Sequence, residues 1–419
     1  MDFNRNLDKY AELAVKVGVY LLPNQELLVR TPIECAPFVR KVVEHAYKAG
    51  ARNVYIEWSV EECSLKKYLN APEEVFNEFP SWVSDQYVKL AKIGGAFLSI
   101  HAANPDLLKD VDPQRVANAQ KASGIALKEW RSYTFTDKCK WSLVSFPTEA
   151  WAKKVFPDVS SQDAIDKLWE AIFKCSRVDN EDPIKAWDNH NSDLKKRMDF
   201  LNSKNFKTLH FKSNKTDLTM DLPEGHIWLS GASVDPNGIA FNPNIPTEEV
   251  FCLPHKFKVN GVVHSTKPLV YGGNVIDNFS LTFKDGRIMD YTAEKGYETL
   301  GKLIETDEGS HYLGEVALVP FKSPISDTNI VFYNTLYDEN ASCHFAIGSA
   351  YKTCIENGNN IKDEELDKYG INDSLTHVDF MIGSSDMNIT GETHNGDTVH
   401  IFKDGNWAFK FLNIITIKK

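Results

Sequence analysis

Short apolar runs and longer amphipathic segments alternate through the first part of the chain. ELLVRTP (26–32) has the apolar density of a buried strand, and APFVRKVVEHAYKAG (36–50) repeats apolar positions at helical spacing until Gly50 stops it. RNVYIEWS (52–59) is the next strand; AFLSIHA (96–102) and WSLVSFP (141–147) repeat the pattern, with His101 at a strand end entering a loop. Strands that alternate with helices build a largely parallel sheet covered by helices. From 162 to 204 the pattern turns helical and heavily charged, as a connector would. Beyond it the period shortens to that of strands: KTLHFKS, TDLTMDL and HIWLSGAS, then LTFKDGRIMDYTA and VHIFKDGNWAF, each of the last two folded back at an Asp-Gly turn. The pattern therefore predicts an α/β N-terminal domain with its helical connector over residues 1–190. A mostly antiparallel α+β C-terminal domain is expected over residues 191–419. No fixed-period repeat or low-complexity tract interrupts either part.

Composition narrows the partners. At 419 residues, with 42% apolar and 11% aromatic content, the chain can bury two cores. Its 47 basic residues against 58 acidic ones leave a net charge of -11, with no long basic tract. That balance argues against nucleic acid or an anionic membrane surface, and for a small molecule or peptide. Seven scattered cysteines (35, 63, 139, 175, 252, 343 and 354) form no CxxC pair and no even disulfide framework, which fits a reducing cytoplasm. The opening MDFNRNLDKYAELAVKVGV lacks the basic start and apolar core of a signal peptide. No apolar run reaches the roughly 18 residues of a membrane span.

The candidate chemistry gathers in the second half. Four stretches set acids or histidines beside apolar, strand-like sequence: NPNIPTEEVF (Glu248, Glu249), LGEVALVPF (Glu315), YDENASCHFAIGSAY (Glu339, His344, Tyr351) and LTHVDFMIGS (His377, Asp379). In an extended strand His377 and Asp379 project from one face, and Val378 and Phe380 from the other. By the same alternation Glu248 and Glu249 point apart, which leaves Glu248 a structural role. Carboxylates mixed with two imidazoles suit Zn²⁺, Co²⁺ or Mn²⁺, and this many ligands exceed the needs of one tetrahedral ion. The surplus suggests two divalent ions, an arrangement that activates water for hydrolysis.

In this order, NIPTEEVF, GEVALVPF, NTLYDENASCHFAIGSAY and HVDFMIG resemble the aminopeptidase T family of metallo-aminopeptidases. The likeness extends to YAELAVKVGVYLLPNQELLVR and ALKEWRSYTFTD, and so across essentially the whole chain. It implies a homodimeric exopeptidase that removes N-terminal residues from peptides, with the two-metal site in the C-terminal domain. Carried onto this sequence, it makes Glu249, Glu315, His344, His377 and Asp379 metal ligands, and Glu339 a ligand or near neighbour. Tyr351 would line the site. Glu315 is the expected bridge between the ions. Glu339 or Glu249 would carry the proton to the leaving amine, and Tyr351 would donate a hydrogen bond to the tetrahedral oxyanion.

Rival readings are weaker on residue grounds. A two-metal phosphoesterase would be expected to add Lys or Arg to clamp phosphate, and none lies inside the four motifs. A metal- or peptide-binding protein without turnover would share the ligands. YGGNVIDNF (271–279) lacks the GxGxxG spacing of a dinucleotide loop, and GSS and GSA lack the GxSxG elbow of serine hydrolases. Cys343 adjoins His344 only in sequence, which does not make a thiol–imidazole pair.

Overall fold

Leu27, Leu28 and Val29 are fully buried because their strand, Glu26–Pro32, is paired on both sides within a parallel sheet. The computed structural model describes residues 2–409. Four parallel strands lie in the order Asn53–Ser59, Glu26–Pro32, Ala96–His101, Trp141–Ser145. Helix Ala36–Lys48 turns Phe38, Val39, Val42 and Ala46 inward at helical spacing. They join a core that includes Tyr10, Trp151, Trp169, Phe173 and Trp187. The same core also takes Ile325, Phe332, Leu336 and Tyr337, which come from far along the chain.

The charged stretch expected to run from 162 to 204 forms two helices, Ser161–Cys175 and Pro183–Lys204. The chain breaks between them at Arg177, whose φ of 61° leaves the helical region. It restarts where Asp182 caps the backbone N–H of Lys185 and Pro183 supplies a preset φ.

Beyond Asn205 the strands are antiparallel. A nine-stranded sheet runs along the order Leu269–Tyr271, Asn274–Lys284, Val259–His264, Asp217–Asp221, Phe206–Lys212, Asn388–Thr393, Thr398–Lys403, Asn406–Trp407, with Arg287–Lys295 paired to Asn274–Lys284 off that path. A five-stranded sheet has the order His377–Met381, His344–Gly348, Leu313–Leu318, Val250–Cys252, Leu229–Ser230. Phe211, Phe279, Phe345 and Phe380 fill the core these two sheets share, at about 1.5–3 kcal/mol for each ring removed from water. The expected strand HIWLSGAS shrinks to Leu229–Ser230, since the backbone of Gly231 has a positive φ of 26° and turns the chain away. No helix among the described residues is long and apolar enough to cross a membrane.

Candidate metal centre

The five-stranded sheet puts its polar side chains at one place. Glu315 sits in the strand Leu313–Leu318, opposite Ala346, which is opposite Asp379, so the two carboxylates lie level across three strands. The pairing slips between Leu313 and Glu315, and such a bulge re-aims the side chain that follows it. Gly314 permits it: a Cβ there would lie 2.3 Å from the carbonyl oxygens of both Gly348 and Ser349. His344 opens the next strand and His377 the one beyond, while Glu249 immediately precedes Val250–Cys252.

The atoms converge in pairs. His344 Nε2 is 3.0 Å from Glu249 Oε2 and 3.5 Å from Glu315 Oε1. His377 Nε2 is 3.7 Å from the other oxygen of Glu315 and 3.6 Å from Asp379 Oδ1. Two triads able to hold a metal ion result, Glu249–Glu315–His344 and Glu315–His377–Asp379, and they share Glu315. Both imidazoles are oriented from behind. His344 Nδ1 donates to the carbonyls of Glu339 and Ser342, both at 3.0 Å, and His377 Nδ1 donates to that of Ser349 at 2.7 Å. Each ring thereby presents Nε2 to the carboxylates, as metal-binding histidines do.

Electrostatics ask for a cation here. Among the described residues no Lys or Arg pairs with Glu249, Glu315, Glu339 or Asp379; only the two histidines do. Burial pushes Glu315 up to about 7, with Asp379 and Glu249 adding to the rise and His344 opposing it. Burial, then the neighbouring Asp379, holds Glu339 well above the usual carboxylate range. Burial alone would depress His344, but Glu249 and Glu315 beside it push it up instead. Asp379 Oδ1 is buried and accepts no hydrogen bond. An orphaned carboxylate oxygen in an oxygen-rich cluster with two preset imidazoles fits divalent cations.

Glu339 lies on the short helix Thr335–Asn340, and its Oε1 accepts from Asn340 Nδ2 at 3.2 Å. It stands beside the triads rather than within them. Tyr351 follows the strand His344–Gly348 and is not helical; its ring packs edge-on to His377 at 5.0 Å. Phe135, from the loop before Trp141–Ser145, packs on Tyr351 at 4.7 Å and on His377 at 6.0 Å. Glu248 turns away from the cluster and pairs with Arg177 at 2.6 Å, as the alternation of side chains predicts. Val378 is only half-buried and reaches the cavity, whereas Phe380 lies wholly in the core. Cys343 Sγ bonds to the carbonyl of Val319, and burial pushes its thiol up to about 12, so it is no nucleophile.

The cluster opens on a cavity of about 1020 Å³, whose walls include His101 and Trp141 from the parallel sheet and Asn191 from the helix Pro183–Lys204. Sequence reasoning missed Phe135, Asn340 and the partners of Glu248. Phe135 does lie within the segment ALKEWRSYTFTD, part of the family likeness.

Carboxylates and imidazoles that, among the described residues, gather with no Lys or Arg partner on a substrate-sized cavity are the setting of a metal-dependent hydrolase. The model of the family described as thermophilic metalloprotease (M29) matches residues 3–407, and the chain belongs to that family. It is 55% identical over 408 residues to aminopeptidase 2 of Geobacillus stearothermophilus and 52% identical over 407 residues to aminopeptidase AmpS of Bacillus subtilis, in each case covering 97% of this chain and 99% of the relative. Among solved structures, wild-type AmpT from Thermus thermophilus superposes with a TM-score of 0.89 at 40% identity, over 97% of this chain and all of that one.

Proposed function

We propose that this protein is an aminopeptidase that releases N-terminal residues from peptides one at a time, using two divalent ions held by Glu249, Glu315, His344, His377 and Asp379. The observation that carries the reading is Glu315, whose two oxygens face two different imidazoles at 3.5 and 3.7 Å. A carboxylate so placed would be shared by the two groups of residues that would hold the cations, Glu249 with His344 and His377 with Asp379. Zn²⁺, Co²⁺ and Mn²⁺ all suit this donor set. When bound, such ions supply Lewis acidity, polarising a peptide carbonyl and lowering the pKa of a water toward neutrality.

The chain's own groups do the rest. Glu339, with one oxygen held by Asn340, has its other oxygen to take the water's proton and pass it to the leaving amine. Glu249 serves instead where one of its oxygens stays uncoordinated. Tyr351 donates a hydrogen bond to the developing oxyanion, because burial and the surrounding carboxylates keep its hydroxyl protonated. Relatives at 40–55% identity that are named aminopeptidases support peptide substrates. Among the described residues no Lys or Arg pairs with the cluster, which disfavours a phosphoesterase. Seven free cysteines support a cytoplasmic setting, and the family resemblance supports a homodimer. In this reading residues 1–190 frame the cleft and residues 191–419 hold the ions.

The test is turnover of aminoacyl-p-nitroanilides by chelator-treated protein before and after Zn²⁺, Co²⁺ or Mn²⁺ is restored, alongside the N-acetylated compounds. The reading expects activity only with metal and only on the free amine. Metal-dependent release from the acetylated compound at an equal rate would reject the exopeptidase.

A further inference from the structure

Glu249 is not held by a regular ladder: it precedes the first paired residue of its strand, Val250. The peptide unit just before it is nonetheless gripped from both sides. The carbonyl of Thr247 accepts from His190 Nε2 at 2.7 Å, and the N–H of Glu248, in the same peptide unit, donates to Asn340 Oδ1 at 2.8 Å. Both gripping groups are themselves committed. His190 Nδ1 accepts from Arg177 Nη2 at 3.0 Å, which makes His190 a neutral imidazole with its proton on Nε2. The same Nη2 donates to Glu248 Oε1 at 2.6 Å, and the guanidinium lies over Trp187, its carbon 5.5 Å from the ring centroid. Asn340, fully buried, spends its two amide hydrogens on the carbonyl of Leu336 at 2.9 Å and on Glu339 Oε1 at 3.2 Å. One amide therefore ties the backbone beside Glu249 to the carboxylate of Glu339.

We propose that His190, locked by the Arg177–Glu248 pair, and Asn340, locked by Leu336 and Glu339, are positioning residues that clamp the peptide unit between Thr247 and Glu248 and so aim the Glu249 and Glu339 carboxylates at the cation site. None of His190, Asn340, Arg177 and Glu248 touches the reacting atoms. The inference rests on the metal reading of Glu249 given above. Rotation of the clamped unit would swing Glu249 away from His344, so losing the clamp costs cation affinity before anything else. Partners that orient ligands typically contribute about 10–100-fold in metal affinity.

The experiment measures equilibrium Zn²⁺ affinity, by competition with a chromophoric chelator, for native protein, Glu249→Gln, His190→Gln and His190→Asn, with folding checked by thermal melts. Glutamine places a donor near the position of Nε2, whereas asparagine is too short to reach Thr247. The clamp predicts that His190→Asn loses about tenfold or more in affinity and that His190→Gln stays within about threefold of native. At limiting Zn²⁺ the turnover of His190→Asn should fall with its affinity, and saturating Zn²⁺ should restore it with KM unchanged. Equal affinity of His190→Asn and native protein, or equal losses in both His190 variants, overturns it. If Glu249→Gln itself keeps native affinity, the metal reading of Glu249 fails; if only His190→Asn does, the clamp alone fails. Should His190→Asn not fold, Asn340→Ser, too short to reach Glu248, is expected to show the same loss. If neither variant folds, the contacts hold the chain rather than the ligand, and the proposal falls.

Discussion

Glu315 faces two imidazoles at once, and among the described residues no Lys or Arg pairs with it, so its buried carboxyl is held up to about 7 unless a cation neutralises it. Burial acts in the same way on a second carboxylate on the cavity wall. Asp137 has Ser233 as its side-chain partner, and burial pushes its carboxyl up to about 7. The sign follows from linkage. The unfolded carboxyl ionises near 4 but the folded one near 7, so the folded state binds the extra proton and stability falls as pH rises through that window. Asp137→Asn, which also tolerates the left-handed φ of 53°, should raise the melting temperature at pH 8 and change it little at pH 4. An equal shift at both pH values would show that the gain does not come from the buried charge. Residue types were legible here in proportion to their chemistry: histidines and acids in apolar strands announce themselves. Asn340 and His190 carry no such signal, because their task is set by backbone atoms 92 and 57 residues away.

Strands and their alternation were the most readable level. Glu26–Pro32 and Asn53–Ser59 fall where the apolar runs place them, and the Asp-Gly turn at Asp285 and Gly286 joins two strands of the nine-stranded sheet. The two faces of His377–Met381 separate as the two-residue period requires, although Val378 also borders the cavity. Phe380 is therefore the cleaner probe of the core face. Phe380→Leu should cost about 1–2 kcal/mol in denaturant unfolding and leave the cation content of the folded protein unchanged. His377→Ala should do the reverse, losing cation content with a smaller stability cost in the metal-free protein. Should Phe380→Leu abolish cation binding in folded protein, the division between the faces is misassigned. What the period could not show was the bulge at Gly314, because it depends on carbonyls of another strand crowding that position.

At the scale of the molecule, long-range packing is what escaped the sequence. Phe332, Leu336 and Tyr337 join the core of the parallel-sheet region, and this seats the short helix that carries Glu339 and Asn340. The cavity is built by both parts of the chain, with Phe135 laid over Tyr351 and His377. Apolar periodicity predicts that each segment is buried but not against which partner. The parallel-then-antiparallel order survives that loss, because it is encoded locally, and the acids and histidines are legible one stretch at a time, although only the sheet brings them together. The central claim, two cations sharing Glu315, is tested most directly by counting them. Elemental analysis after reconstitution and dialysis should find about two divalent ions per native chain, about one in Glu249→Gln or Asp379→Asn, and fewer than one in Glu315→Gln. A single ion in native protein, or two retained by folded Glu315→Gln, would contradict it.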